Sequence, residues 1–136
     1  MTNIKDAQLW TGCYSFMQEG MDAASARMSD LGIDVREFLV IDYLERSSSQ
    51  VDIGKALSIP KASVTGYVKA LEAKSLIRRE INRDDLRRYQ LRLTAAGIIT
   101  VSNARKILTE VFDERLAKLE HDEQTEIKRL IEKLKR

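Results

Sequence analysis

The spacing of apolar residues changes period twice along this chain, and that change limits what it can fold into. From Ile4 to Leu31, apolar or small residues recur at Leu9, Cys13, Phe16, Met17, Gly20, Met21, Ala24, Met28 and Leu31. Steps of three and four put them on one face of a long helix, which the Leu31-Gly32 pair should close. A second helix, about Asp34–Arg46, carries Val35, Phe38, Leu39, Ile41, Tyr43 and Leu44. It is apolar on most sides and is therefore expected at the centre of the fold. Ser47-Ser48-Ser49 leads into a short helix containing Ile53, Ala56 and Leu57, with Ser49 and Asp52 resembling a capping box. Ser58-Ile59-Pro60 predicts a tight turn, with Pro60 suited to a first helical position. The next helix, about Lys61–Lys74, buries Val64, Val68 and Leu71 at i, i+4 and i+7. Two short helices joined by so brief a turn form a helix-turn-helix.

Behind that pair the period becomes two. Leu76–Ile81 and Tyr89–Leu93 read as strands, joined by the polar loop Asn82-Arg83-Asp84-Asp85-Leu86-Arg87-Arg88. The helical period then returns in a helix about Ala95–Leu119, capped by Thr94, and in another about Glu123–Lys135. The last has Ile127, Leu130, Ile131 and Leu134 on one face, and its charges suit the helix dipole. A single proline and six glycines agree with long uninterrupted helices. The fold class is thus mainly α with a small β-hairpin (α+β), the hairpin forming the wing of a winged helix-turn-helix.

A formal charge of +2 says little about a partner, but its distribution says more. Ser58–Thr94 contains nine basic and four acidic residues, a net +5, while the remainder has 14 basic against 17 acidic, a net −3. A basic patch confined to the helix-turn-helix and wing is what a polyanion requires. No apolar run approaches the length of a membrane span, and the N-terminus does not read as a secretory signal. A lone Cys13 gives no disulfide framework, so the cytoplasm is the expected location. Neither a nucleophile elbow nor a phosphate-binding glycine loop is present, nor are metal-ligand spacings. The single His121 is expected to face solvent or cap a helix. No enzyme and no cofactor is expected.

The segment Asp85-Leu86-Arg87-Arg88-Tyr89-Gln90-Leu91-Arg92-Leu93-Thr94-Ala95-Ala96-Gly97 resembles the wing-to-helix pattern of the MarR (multiple antibiotic resistance regulator) family, D-x-R-x-x-x-hydrophobic-x-L-T-x-x-G. Ser63–Glu72 is similar to that family's recognition helix, and the order of helices matches along nearly the whole chain. The chain departs from the family at Ser75, where glycine is usual, and at Ile53-Gly54, where Leu-Ala is usual. It departs again at Gly66, where many members carry a larger polar or basic residue. The resemblance implies a homodimeric transcriptional regulator, a repressor in the first instance, that binds double-stranded DNA at an inverted-repeat operator. It implies one domain over 1–136, with 34–94 binding DNA and 1–31 and 95–136 forming dimerisation helices.

If Val64, Val68 and Leu71 face inward, Lys61, Ala62, Ser63, Thr65, Gly66 and Lys69 face a major groove. Ser63 and Thr65 then offer hydrogen bonds, Ala62 and the Thr65 methyl offer apolar contact to thymine, and Lys61 and Lys69 reach phosphates. By resemblance Arg87 enters the minor groove, oriented by Asp85, with Arg83 and Arg88 on phosphates. Many family members take a small phenolic or lipophilic effector, for which Trp10, Tyr14, Met17, Phe38 and Tyr43 are the candidate lining. Cys13 is a candidate redox sensor, but no basic neighbour favours its thiolate, so a buried packing thiol is expected. The alternative to a DNA-binding regulator is a winged-helix protein-interaction module, or a small-molecule or redox sensor that binds DNA weakly. The concentration of cations on the recognition face argues against the interaction module, and Gly66 is the only hint of a weakly binding sensor.

Overall fold

The computed structural model describes residues 4–47, 49–81, 83–85 and 89–135. Helix α1 (Ile4–Met28) runs into a 3-10 turn (Ser29–Leu31), which Gly32 closes with φ 76° and an N–H donated to Ser29 at 3.0 Å. A left-handed residue there satisfies the last carbonyls, as the Leu31-Gly32 pair predicts. Helix α2 (Val35–Tyr43) starts from a complete capping box. The Glu37 N–H donates to Asp34 Oδ1 at 2.8 Å, and the Asp34 N–H donates to Glu37 Oε1 at 3.3 Å. The helix ends three residues before the expected Arg46, because Arg46 donates to Tyr43 O at 2.8 Å in a tighter turn.

Helix α3 (Gln50–Leu57) is capped by Ser49, but the box foreseen with Asp52 is only half formed. Asp52 N–H donates to Ser49 Oγ at 3.4 Å, while the Asp52 carboxylate accepts from Ser47 Oγ at 3.0 Å. The shorter Asp side chain thus engages Ser47, whose Oγ accepts the Ser49 N–H at 3.2 Å. Ser58 turns the chain with φ 53°, and Pro60 caps helix α4 (Lys61–Ala73) from one residue before the expected first position. Ser75, where glycine was missing, takes a left-handed φ of 59° and lets Leu76 N–H reach Leu71 O at 3.0 Å.

Strands β1 (Ile77–Ile81) and β2 (Tyr89–Leu93) pair antiparallel, from Ile77 opposite Leu93 to Ile81 opposite Tyr89. Helices α5 (Ala95–Leu116) and α6 (His121–Leu134) follow, with α6 beginning two residues earlier than expected. Gln124 donates to the carbonyls of Leu116 and Leu119, satisfying the end of α5 and fixing the corner. Buried Met28, Ile41, Ile53, Val64, Val68, Leu71, Val101 and Val111 join α1 to α5 in one core. Each such side chain is worth roughly 1.5–3 kcal/mol of burial. Outside that core α1 packs along α5, with Arg27 paired to Glu114 at 2.7 Å and Phe16 edge-on to Phe112 at 6.1 Å. No helix among the described residues is long and apolar enough to cross a membrane.

Thr94 locks the wing to the helix pair. Its N–H donates to Leu76 O at 3.0 Å, and its hydroxyl donates to Ser75 O at 2.7 Å while accepting the Gly97 N–H at 3.0 Å. A Cβ on Gly97 would collide with the Leu76 carbonyl oxygen. The L-T-x-x-G pattern therefore has a packing cause. Gly97→Ala should cost about 1–3 kcal/mol by overpacking, and Thr94→Ala about 1 kcal/mol as a lost cap. Urea unfolding would measure both, and a Gly97→Ala protein as stable as the parent would refute the contact.

Candidate nucleic-acid interface

Helix α4 divides into two faces. Val64, Val68 and Leu71 are buried against the core, and Lys61, Ala62, Ser63, Gly66 and Lys69 are exposed. The 3.6-residue period alone brings about that separation. Gly66 faces open space, so nothing within the chain requires a glycine there.

Thr65 differs from its five companions. It is half-buried, its hydroxyl donates to Lys61 O at 3.1 Å, and it accepts from Gln50 Nε2 at 2.9 Å. Its one hydroxyl proton is therefore spent inside the helix pair and is not offered outward. Gln50, the first residue of α3, was not among the sequence candidates. The only signal for it was a polar side chain directly after the Ser49 cap.

The basic segment is also more committed than its count suggests. Lys74 pairs with Glu37 at 2.6 Å, Arg79 with Glu72 at 2.9 Å, and Arg78 and Arg92 both with Glu80, at 2.9 and 3.5 Å. Lys74 thus ties the end of α4 to α2, Arg79 ties β1 to α4, and Arg78 and Arg92 pair within the hairpin. Lys61, Lys69 and Arg83 have no acidic partner among the described residues. Lys61 and Lys69 lie on the exposed face of α4, and Arg83 lies in the loop after β1. Asp85 is half-buried and has a partner of its own. Arg87 and Arg88 lie outside the described residues.

The five residues proposed to line an effector pocket are not brought together. Phe38 is buried in the core, and Tyr43 is half-buried with Arg46 over its ring at 5.8 Å. Trp10 and Tyr14 stack on each other at 6.1 Å along the outer face of α1, 69% and 59% exposed, and Met17 is exposed beside them. A helical period shows that a face is apolar but not which chain covers it. Cys13 is exposed on the same helix, where a packing thiol was expected. His121, the first residue of α6, is exposed as foreseen.

Two cavities occupy other places. One of about 210 Å³ lies where α1 and α2 meet the helix-turn-helix, among Met21, Arg36, Leu39, Ile59, Ser63 and Tyr67. There the neighbouring Tyr67, with Asp34 and Tyr14, raises the pKa of the exposed Arg36 guanidinium above its ordinary value. The other, about 350 Å³ and apolar, lies between α1, α5 and α6, lined by Phe16, Phe112, Leu116, Ile127 and Ile131.

A helix pair, a two-stranded hairpin clamped behind it and long flanking helices define a winged helix-turn-helix protein. The MarR family profile matches residues 31–88, from the end of the 3-10 turn into the wing. Over these residues the chain is similar to the MarR family. An uncharacterized HTH-type transcriptional regulator of Bacillus subtilis (strain 168), YdgJ, is 31% identical over 87 residues, covering 64% of this chain and 53% of that protein. The chain thus spans about half the length of that relative. S. aureus MepR, solved as a DNA complex, is 24% identical, with a TM-score of 0.79 over 98% of this chain and 97% of that one. The MarR family protein Rv2887 of Mycobacterium tuberculosis, solved with p-aminosalicylic acid, is 24% identical, with a TM-score of 0.78 over 93% of this chain and 97% of that one. At these identities the solved structures establish the fold.

Proposed function

We propose that the chain is a dimeric, sequence-specific regulator of transcription that places α4 in the major groove of double-stranded DNA and its wing in the minor groove. The observation that carries the reading is the exposed α4 face, where Lys61, Ala62, Ser63, Gly66 and Lys69 stand clear of the core and the two lysines have no acidic partner among the described residues. Ala62 offers apolar contact to a thymine methyl, Ser63 a hydroxyl to a base edge or phosphate, and Lys61 and Lys69 charge to the backbone. Arg87 is assigned to the minor groove and Arg83 and Arg88 to phosphates, on the family pattern. S. aureus MepR, which shares this fold, has been solved in complex with DNA, in keeping with that reading.

The dimer rests on surface that the protomer leaves uncovered. Leu9, Trp10, Tyr14 and Met17 on α1, and Leu130, Ile131 and Leu134 on α6, are exposed large side chains. Clusters of this kind mark association surfaces. A second copy covering both would set two α4 helices about one DNA turn apart and match an inverted repeat.

The effector site is better placed in the cavity of Arg36 and Tyr67 than among the aromatic residues of α1. A guanidinium beside apolar Met21, Leu39 and Ile59 suits a small aromatic acid. The p-aminosalicylic acid complex of the mycobacterial relative is consistent with that chemistry. Ser63 and Tyr67 belong to α4, so an occupant would bear directly on the recognition helix.

Selection from random duplexes at two salt concentrations should recover an inverted repeat, and failure to enrich any motif would dismiss the reading. On that operator Lys69→Ala should lower the salt slope by about 1. Gly66→Ala should raise stability by about 1 kcal/mol through helix propensity yet weaken DNA binding, if the backbone approaches the groove there. In sedimentation a 15.5 kDa species at micromolar concentration would remove the dimer. Salicylate at 100 times its Kd should stabilise the parent by about 2.7 kcal/mol, and Arg36→Ala should lose the effect. An undiminished shift in that variant would move the effector elsewhere.

A further inference from the structure

Resting on the DNA-binding reading, we propose that Gln50 holds a backbone phosphate through its second amide N–H while its first N–H grips Thr65. The two helices of the motif would thereby be set against the duplex by one side chain. Gln50 begins α3, and its Nε2 donates to Thr65 Oγ1 on the second turn of α4 at 2.9 Å. The acceptor is itself fixed, because Thr65 donates its only proton to Lys61 O at 3.1 Å. A primary amide has two N–H donors and one carbonyl acceptor. One donor is spent on Thr65, and the other has no partner among the described residues.

Three features favour a phosphate over solvent as the missing acceptor. In a helix-turn-helix the first helix crosses the backbone while the start of the second enters the groove, and Gln50 connects those two places. Gln50 shares a surface depression of about 250 Å³ with Lys55 and Lys61, neither of which pairs with an acid among the described residues. The depression is therefore positive and is not neutralised by an acid among the described residues. Finally, the Thr65 bond already restricts the Gln50 rotamer, so less side-chain entropy is lost on docking. Thr65 becomes a positioning residue here, and its hydroxyl is withdrawn from direct base reading.

A neutral donor has a signature that a lysine lacks. It adds affinity without releasing counterions, and it carries no base preference of its own. The test uses the full chain on its selected operator, with phosphates replaced one at a time by methylphosphonate. At one phosphate in each half-site, replacement should cost the parent roughly tenfold in affinity, the size expected for a hydrogen bond to a charged group. Gln50→Ala should bind the unmodified operator about tenfold more weakly. It should be indifferent to replacement at that phosphate, and should keep the parental base preferences and salt slope. Thr65→Val, which keeps the amide but removes its anchor, should lose part of the affinity at the same phosphate and at no other.

Unchanged affinity in a folded Gln50→Ala protein, checked by its melting temperature, would overturn the proposal. So would a shifted base preference in that variant with every phosphate effect intact, because Gln50 would then read a base. A parent chain that enriches no operator would end the proposal together with the DNA-binding reading. That result is distinct from an operator-binding parent whose Gln50 is silent.

Discussion

Thr94 makes the winged domain a single unit. Three hydrogen bonds from one residue connect the turn after α4, the start of β1 and the first turn of α5. Without them the hairpin would be a two-stranded ribbon, which is marginal in water by itself. Gly97 allows the approach, since only a residue without a Cβ fits against the Leu76 carbonyl. Placement of the wing beside α4 therefore depends on a contact far from either tip. The same clamp makes a left-handed Ser75 tolerable, for its carbonyl is held by Thr94 Oγ1 at 2.7 Å and its N–H by Glu72 O at 2.9 Å. A non-glycine residue at positive φ costs free energy that these two bonds offset.

Charge is divided in a comparable way between holding the fold and meeting a partner. Glu37, Glu72 and Glu80 each take cations from the basic segment and tie them to α2, α4 or the hairpin. Exposed pairs of this sort contribute about 0–1 kcal/mol each. Glu37 is different because it is buried, and a buried carboxylate is costly unless its oxygens are occupied. Both are: one accepts the Asp34 N–H and the other the Lys74 ammonium. A near-neutral chain can thus keep Lys61 and Lys69 on the exposed face of α4 without an acidic partner among the described residues.

Element positions were largely legible in the sequence, because period and caps are local properties. The change from steps of three and four to alternation located the wing, and Leu31-Gly32, Thr94 and Ser49 marked true boundaries. Errors of two or three residues arose at the ends of α2 and α5 and the start of α6, where helices run into tight turns. The inward face of α4 was also correct, since Val64, Val68 and Leu71 are fixed by the helical repeat. Pairings between elements were not legible. Nothing local joins Gln50 to Thr65 or Glu37 to Lys74, and each changes the role of a residue on the recognition helix. The aromatic set is divided for a related reason: hydrophobicity placed Phe38 and Trp10 in one class, whereas the protomer buries one and exposes the other.

The Glu37 pair also bears on how a dimer could read DNA with a defined spacing. The N-terminus of α2 is tied backward to α1, where Val35 N–H donates to Ser25 Oγ at 3.2 Å, and forward to the end of α4 through Lys74 at 2.6 Å. Hydrogen bonds thus run from a helix with an uncovered apolar face to the helix with an exposed polar one. In a two-fold assembly the separation of the recognition helices is set at the dimer surface, and half-site spacing tolerates little error. A loose joint between α1 and α4 would lose that spacing before it reached the groove. The joint is made from a capping box, a buried carboxylate and a packed core, and interiors of that density transmit displacement rather than absorb it. The cavity of Arg36 and Tyr67 is the gap in this packing, and it lies between the same three helices. A ligand there would lie against Ser63 and Tyr67 of α4, and so would bear on the recognition helix from within the joint.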